Sequence, residues 1–257
     1  MRQDSPPASP ITFDQAAFDL RCEWGQPGID QLSPISDVVI VVDVLSFSTC
    51  VDIATGRGAI VYPYRWRDES AQTYAELMGA VLAGQRGSSQ YSLSPTSLQF
   101  LDAGVRLVLP SPNGSTLSLT SSAPCTLAGC LRNSRAVAAA AQSYGQRIAV
   151  VPAGEKWPDG SLRPAFEDLV GAGAILSSLE GRLSPEAQAA VAVFQSAQAQ
   201  LESLIQDCCS GRELRERDFD SDVALAAALN VSDRVPTLIK GAYIDPRPRY
   251  CLDQKSL

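Results

Sequence analysis

The sequence contains no histidine among its 257 residues. This absence excludes Ser-His-Asp triads, Cys-His dyads, phosphohistidine chemistry and zinc sites with histidine ligands. No apolar run reaches the roughly 20 residues that a membrane-spanning helix requires, and residues 1–10, MRQDSPPASP, have no apolar signal core. We therefore expect no membrane partner, and we expect residues 1–10 to be a short disordered tail.

The sequence also has no CxxC motif, and its seven cysteines are an odd number. This pattern is typical of reduced thiols in a cytoplasmic protein. The formal net charge of −7 repels nucleic acid and anionic membranes, so neither is an expected partner. An anionic substrate would need a local cationic patch or a metal ion to overcome that charge.

Continuous apolar, β-branched runs alternate with helical segments along most of the chain. The predicted strands are 37–44, 59–64, 105–110, 125–129 and 147–154. The segments between and after them favour helices, including 68–84, 164–181, 184–208 and 221–230. Such alternation predicts an α/β fold, a three-layer α/β/α arrangement around a mostly parallel sheet. We expect a single domain over residues 11–257, which could divide into subdomains 11–145 and 146–257.

Polar residues follow four of the predicted strands, where an open parallel sheet binds its ligands. These residues are Asp43, Ser46, Ser48 and Thr49; Asn113, Gly114 and Ser115; Cys130, Arg132 and Asn133; and Glu155, Lys156, Arg163, Glu167 and Asp168. Each also has a purely structural interpretation. Asp43 and Asn133 could be helix caps, the PNG triplet a simple turn, and the two acids at 167–168 favourable charges at a helix start.

Taken together, the same residues indicate phosphate chemistry assisted by a metal ion. Carboxylates are the oxygen ligands that Mg²⁺ prefers, and arginine or lysine side chains neutralise a phosphate. Other phosphate-binding motifs are missing: there is no GxxxxGK[ST] loop, no complete GxGxxG and no Cys-X5-Arg loop. Metal-assisted phosphoryl transfer requires no histidine.

Several segments resemble the 2-phosphosulfolactate phosphatase family, in the family's order and over roughly residues 35–245. They are VVDVLSFST, SPNGS, GCLRNSRAVA and VVPAGE followed by LRPAFEDLVGAGAI. The resemblance implies a Mg²⁺-dependent α/β/α hydrolase that removes phosphate from 2-phosphosulfolactate on the way to coenzyme M. The matching positions are Asp43, Asn113, Gly114, Arg132, Asn133, Glu155, Arg163, Glu167 and Asp168.

Two segments depart from the family pattern. Ser46 stands where the family usually has an arginine, and QYSLSPTSL at 90–98 lacks the family's acidic, glycine-rich block. The family function therefore has two alternatives: a phosphatase with another small phospho-acid as substrate, and a non-catalytic anion-binding homologue. A plain structural domain is a third interpretation.

The expected roles combine the positions after the strands with the resemblance. Catalytic roles are expected for Asp43, Glu155 and Arg132, and Mg²⁺ ligation for Asp43, Glu155, Glu167 and Asp168. Substrate binding is expected for Ser48, Asn113, Gly114, Ser115, Asn133, Lys156 and Arg163. The sequence leaves open which carboxylate is the base, and whether Asp43 itself attacks to form an aspartyl-phosphate. The expected partner is a small anionic phosphorylated substrate, with a homodimer as a possible assembly.

Overall fold

A computed structural model describes residues 13–246, so the expected tail at 1–10 lies outside the described residues. The strands are β1 (Leu20–Cys22), β2 (Val38–Val42), β3 (Ile60–Tyr64), β4 (Val81–Leu82), β5 (Arg106–Pro110), β6 (Cys125–Gly129), β7 (Ile148–Pro152), β8 (Glu155–Lys156), β9 (Leu162–Arg163), β10 (Thr237–Ile239) and β11 (Ala242–Ile244). The helices are α1 (Gly25–Leu32), α2 (Phe47–Arg57), α3 (Glu69–Met78), α4 (Pro95–Leu98), α5 (Gly114–Thr120), α6 (Ser134–Tyr144), α7 (Phe166–Leu176), α8 (Pro185–Ala197), α9 (Leu201–Asp207), α10 (Cys209–Arg215) and α11 (Asp220–Ala227).

Nine strands form one sheet in the order β1-β7-β2-β6-β10-β11-β3-β5-β4, while β8 and β9 form a separate two-stranded hairpin. The five predicted strands, now β2, β3, β5, β6 and β7, pair in parallel wherever they meet one another. The hairpin of β10 and β11 is inserted antiparallel between β6 and β3. The predicted three-layer α/β/α fold with a mostly parallel sheet is confirmed. A division into subdomains stays a prediction.

Strand β2 lies in the middle of one half of the sheet and is buried on both faces. Val38, Ile40 and Val42 pack into a cluster with residues of α6, α7 and α8. Val39 and Val41 point the opposite way and pack with residues of α1 and α5. Because successive side chains alternate between faces, a strand covered on both sides must be apolar at every position. This explains why the β-branched run is continuous.

The four predicted helices named above all end earlier than expected, α7 at Leu176 and α11 at Ala227, and the other two show the reason. The helix predicted over 68–84 begins as expected, with the Asp68 side chain accepting the Ser70 N–H at 3.0 Å, but it ends at Gly79 rather than Gly84. Gly79 has φ 57°, the left-handed conformation that terminates helices at glycine. The helix predicted over 184–208 is interrupted by a 3₁₀ turn at Gln198–Gln200, which separates α8 from α9.

Two glycines of α7 allow close packing on opposite neighbours. A Cβ on Gly171 would lie 2.8 Å from the side chain of Val44, next to the sheet. A Cβ on Gly173 would lie 2.1 Å from the carbonyl oxygen of Ala190, so it faces α8 instead. Helix α7 is therefore held against β2 on one side and α8 on the other, and this fixes the position of the acids in its first turn.

The cysteines of residues 13–246 are free thiols, as the sequence predicts for a reduced protein. Within the same residues, no helix has both the length and the apolar character needed to cross a membrane.

Candidate active site

A cavity of about 770 Å³ opens at the carboxyl edge of the sheet. We call it the strand-end cavity, because segments that follow β2, β3, β4, β5 and β7 line it. Its charged lining residues are Asp43, Arg67, Asp68, Arg86, Glu155, Lys156, Arg163, Glu213 and Arg217, and Asn113 lies beside them. The convergence of strand ends expected from a parallel sheet is thus present.

Asp43 follows β2 directly and is 6% exposed, with the cavity on its open side. One carboxylate oxygen accepts the N–H of Phe47 at 3.0 Å, and the other accepts the N–H of Gly114 at 2.9 Å. Burial raises the pKa of Asp43, and the charge of Glu167 raises it further, whereas the two backbone donors lower it. The N-terminal ends of α2 and α5 therefore hold this carboxylate in one orientation.

Gly114 is needed for that arrangement. A Cβ at this position would lie 2.2 Å from the Phe47 ring and 2.8 Å from the Asp43 carboxylate. No side chain fits between the α5 start and the acid, so the glycine allows its N–H to reach Asp43. In the structure Gly114 contacts the Asp43 carboxylate through its N–H, and its expected role in substrate binding stays a prediction.

Glu155 begins the β8–β9 hairpin after β7 and lines the same cavity. Its carboxylate accepts a hydrogen bond from the Asn113 side-chain amide at 3.0 Å. Burial and the neighbouring charge of Asp43 raise the pKa of Glu155 to about 7, although the Asn113 donor and Arg163 act in the opposite direction. A carboxylate with a pKa close to neutrality is suited to accept and return a proton at physiological pH.

The two acids of α7 lie behind Asp43, and neither lines the cavity. The Asp168 carboxylate accepts the N–H of Val44 at 2.7 Å and that of Gly154 at 2.9 Å. It therefore ties together the two loops that carry Asp43 and Glu155. Burial, followed by the charges of Asp43 and Glu167, raises the pKa of Asp168 well above its usual range. Glu167 accepts a hydrogen bond from the thiol of Cys208 at 3.3 Å.

The carboxylates repel one another within a group made of Asp43, Glu155, Glu167 and Asp168. The pKa values of Asp43, Glu155 and Asp168 are each raised in part by the negative charge of another member of this group. Within residues 13–246, none of the four makes an ion pair with a lysine or arginine. No set of three or more acids or thiols in these residues has the arrangement of a complete protein metal site. Mg²⁺ often uses only one or two carboxylates and fills its shell with water, so the group fits this ion but not an all-protein cage.

Two of the expected cationic residues border the cavity. Lys156 is exposed beside Glu155. Arg163 donates to the Ser210 hydroxyl at 3.1 Å and lies over the ring of Trp157, with 5.9 Å to the ring centroid. The hairpin thus places two positive charges next to the carboxylates.

Arg132 and Asn133 are placed elsewhere. The Arg132 guanidinium pairs with the buried carboxylate of Asp52 at 2.9 Å and donates to the Leu225 carbonyl at 3.0 Å. Asn133 is fully buried, and its side chain accepts the Cys130 N–H at 2.9 Å. Neither residue lines the strand-end cavity. Their contacts stabilise the loop after β6 and its junction with α11.

Ser48 and Ser115 are also fully buried outside the cavity lining. Ser48 accepts the N–H of Asp43 at 3.1 Å and donates to the Val41 carbonyl, so it supports the loop that carries the acid. Ser115 donates to the Leu109 carbonyl at 3.1 Å. The structure gives both serines contacts that hold the loops in place.

Three arginines of the cavity were missed by sequence reasoning: Arg67, Arg86 and Arg217. Arg67 follows the predicted strand 59–64, and the rule that selected the other strand ends applies to it equally. Arg86 lies in the polar loop at 84–97, whose length is typical of functional loops. Arg217 follows a helix, and no sequence pattern connects it to the cavity.

Comparison with known proteins agrees with this geometry. A sequence model of the 2-phosphosulpholactate phosphatase family matches residues 28–241. The chain belongs to this family. A protein of Methanothermobacter thermautotrophicus named 2-phosphosulfolactate phosphatase is 30% identical over 210 residues, covering 80% of this chain and 88% of that protein.

Two further members of the 2-phosphosulfolactate phosphatase family show similar identity. A probable 2-phosphosulfolactate phosphatase of Carboxydothermus hydrogenoformans is 30% identical over 206 residues, covering 77% of this chain and 84% of the relative. A probable 2-phosphosulfolactate phosphatase of Gloeobacter violaceus is 30% identical over 222 residues, covering 78% of this chain and 87% of the relative.

Proposed function

We propose that this protein hydrolyses 2-phosphosulfolactate to sulfolactate and phosphate in a reaction that depends on Mg²⁺. The observation that carries the proposal is that Asp43 and Glu155 line the same cavity. The positively charged Lys156 and Arg163 lie beside them. Membership of the phosphatase family supports the reaction class. The absence of histidine from the sequence leaves carboxylates as the natural proton acceptors.

In this proposal, Glu155 is the general base. Its oxygen takes a proton from the attacking water while the water oxygen bonds to phosphorus and the phosphorus–oxygen ester bond breaks. The same proton then passes to the departing alkoxide, so the carboxylate is regenerated. A pKa of about 7 suits both halves of this transfer, and the Asn113 amide holds the carboxylate in place.

Asp43, which lines the cavity, would hold the Mg²⁺, with the negative charge of the buried Glu167 behind it and water completing the shell. When bound, the ion supplies charge neutralisation for the phosphate oxygens. Asp43 is oriented for ligation because the N–H groups of Phe47 and Gly114 fix both of its oxygens. These two donors also reduce the nucleophilicity of the carboxylate, which favours attack by water over an aspartyl-phosphate. Asp168 positions the loops through Val44 and Gly154 and is not assigned as a ligand here.

Lys156 and Arg163 would contact the phosphate, and the reaction would take place in the cytoplasm, where free thiols persist. A homodimer is part of the same proposal, without a role in the chemistry.

The proposal is tested by measuring phosphate release from 2-phosphosulfolactate with Mg²⁺ and with a chelator. We expect turnover with Mg²⁺, loss of turnover with the chelator, and recovery when Mg²⁺ is restored. If the protein hydrolysed other phospho-acids but not 2-phosphosulfolactate, the result would contradict the assigned substrate. Tight binding of 2-phosphosulfolactate with no turnover would favour the non-catalytic alternative.

A further inference from the structure

A second group of charges in the strand-end cavity has no part in the chemistry described above. Arg67, Arg86 and Arg217 reach the cavity from three separate elements: the loop after β3, the loop after β4 and the end of α10. Burial lowers the pKa of the Arg86 guanidinium, and the positive charges of Arg217 and Arg67 lower it further. The positive charges of Arg67 and Arg217 therefore both reach Arg86 at the wall of the cavity.

Arg86 is held rigidly. Its guanidinium pairs with the Asp222 carboxylate at 2.8 Å, donates to the Ser46 hydroxyl at 3.1 Å and to the Leu93 carbonyl, and lies over the Phe219 ring. Asp222 is 1% exposed and also accepts hydrogen bonds from Ser94 and Thr96. Asp222 is thus a positioning residue that fixes Arg86 at the wall of the cavity.

The other two arginines make no ion pair with a buried acid in residues 13–246, although the charge of Arg67 reaches Asp43 and lowers its pKa. Arg67 is exposed and makes no hydrogen bond or ion pair with any residue in the described range 13–246. Arg217 pairs with the exposed Glu213 at 3.5 Å, a weak surface contact, and its guanidinium lies over the Phe219 ring, 5.8 Å from the centroid. Two positive charges therefore face the cavity of a protein whose net charge is −7. An anion entering the cavity would supply the missing counter-charge.

We infer that Arg67 and Arg217, against the fixed wall made by Arg86, bind a second acidic group of the substrate, which is not the phosphate that is transferred. This inference rests on the proposed phosphatase function, which places the transferred phosphate beside Glu155 and Lys156. The carboxylate and the sulfonate of 2-phosphosulfolactate are the acidic groups of that substrate that these arginines would bind. Ser46 accepts from Arg86 and lines the same wall of the cavity.

Arg67→Gln and Arg217→Gln test this inference, because both residues are exposed. Arg67→Gln is the cleaner of the two, since Arg217→Gln also removes a contact with the Phe219 ring. Arg86→Gln is not used, since it would leave Asp222 buried and unpaired. The control is Arg135→Gln, which removes an equal charge from an exposed position of α6 outside the cavity. For each protein, kcat/KM is measured with 2-phosphosulfolactate and with glycerol 2-phosphate, a secondary phosphomonoester that has no second acid group.

We expect Arg67→Gln to lower the ratio of kcat/KM for 2-phosphosulfolactate to that for glycerol 2-phosphate by about 10- to 100-fold, the usual effect of losing one charge-assisted contact. Arg217→Gln should act in the same direction, and Arg135→Gln should leave the ratio unchanged. A ratio that is the same in wild type and Arg67→Gln would overturn the inference.

A binding measurement keeps the inference testable if the protein shows no phosphatase activity. Isothermal titration calorimetry with sulfolactate, which has the second anion but no phosphate, should give a Kd that is at least about 10-fold weaker for Arg67→Gln than for wild type. Equal affinity in the two proteins, or no binding to wild type, would contradict the second anion site. Failure of turnover with retained, Arg67-dependent binding would refute only the proposed phosphatase activity.

Discussion

The side-chain amide of Asn113 donates a hydrogen bond to the Glu155 carboxylate at 3.0 Å, and this contact joins the ends of β5 and β7 across the cavity. The two residues are 42 positions apart in the chain. The donor favours the charged form of Glu155, so it opposes the burial and the Asp43 charge that raise the pKa to about 7. The proton affinity of the proposed base is therefore lowered by a residue that follows another strand.

Asn113→Ala should shift the pH profile of the enzyme. Loss of the donor raises the pKa of Glu155, so the limb on which activity rises with pH should move to higher pH. The pH dependence of kcat/KM measures this shift. Asn113→Asp should move the limb further, because it adds a negative charge beside Glu155. A limb that stays in place in Asn113→Ala would show that Glu155 is not the titrating base.

Glu155 should also influence the pH dependence of stability. Its carboxyl has a usual pKa of 4.5 and a folded pKa of about 7, so between these values the folded state holds a proton that the unfolded state has lost. The free energy of unfolding therefore receives a contribution that is present below about pH 4.5 and is lost as the pH rises towards 7. Chemical denaturation of the metal-free protein across this window should show a smaller decline for Glu155→Gln than for wild type.

Glu76→Gln is the matched control for the stability measurement, because Glu76 is exposed on α3 and outside the cavity. It should keep the decline of the wild type. The interpretation fails if Glu155→Gln and Glu76→Gln follow the same pH dependence.

Asp168→Asn should destabilise the fold and reduce activity together. Both Asp168 oxygens accept backbone N–H groups, whereas asparagine presents an NH₂ group to one of them. A buried donor left without an acceptor costs about 1–3 kcal/mol in the free energy of unfolding, measured by urea denaturation. Asp102→Asn, at an exposed position outside the cavity, should have little effect. Wild-type stability in Asp168→Asn would contradict the role of this carboxylate in joining the two loops.

Arg132→Gln distinguishes the catalytic role that the sequence motif predicts from the structural role that the ion pair with Asp52 indicates. The catalytic role expected from the motif predicts a loss of kcat/KM. The ion pair with Asp52, which is 1% exposed, predicts a loss of stability of roughly 3–5 kcal/mol and little change in kcat/KM of the folded protein. Unfolding and activity measured on the same sample decide between them. Reduced kcat/KM at unchanged stability would restore the catalytic assignment.

The sequence predicted the central strands because a parallel strand buried on both faces must be continuously apolar, as β2 is. It also predicted that Asp43, Asn113 and Glu155 meet, since the carboxyl ends of parallel strands share one edge. The β10–β11 hairpin was missed because its strands have three residues each. Lys240 and Gly241, with φ of 50° and 82°, form the turn that makes such short strands possible.

Side-chain partners were harder to predict than strand positions. A sequence pattern does not show whether an arginine faces a ligand or a buried carboxylate far away in the chain. Arg132 was expected to face the substrate, and in the structure it contacts Asp52, which is 80 residues away. Asp222 is 136 residues from Arg86, so no local sequence pattern predicts the contact that holds Arg86 at the cavity wall. Arg67 was predictable from its place after β3. It was missed because candidate residues were taken from those after four other predicted strands and not from those after this one.

Steady-state phosphate release from 2-phosphosulfolactate by wild type and Glu155→Gln, at saturating Mg²⁺, tests the central claim most directly. Glu155→Gln keeps the size of the side chain and one oxygen that can accept from the Asn113 amide, but it cannot accept the proton. The account predicts that kcat falls by about 10²- to 10⁴-fold, the usual contribution of a general base, while Glu76→Gln retains the wild-type rate. A Glu155→Gln enzyme that is correctly folded and releases phosphate at the wild-type rate would contradict it.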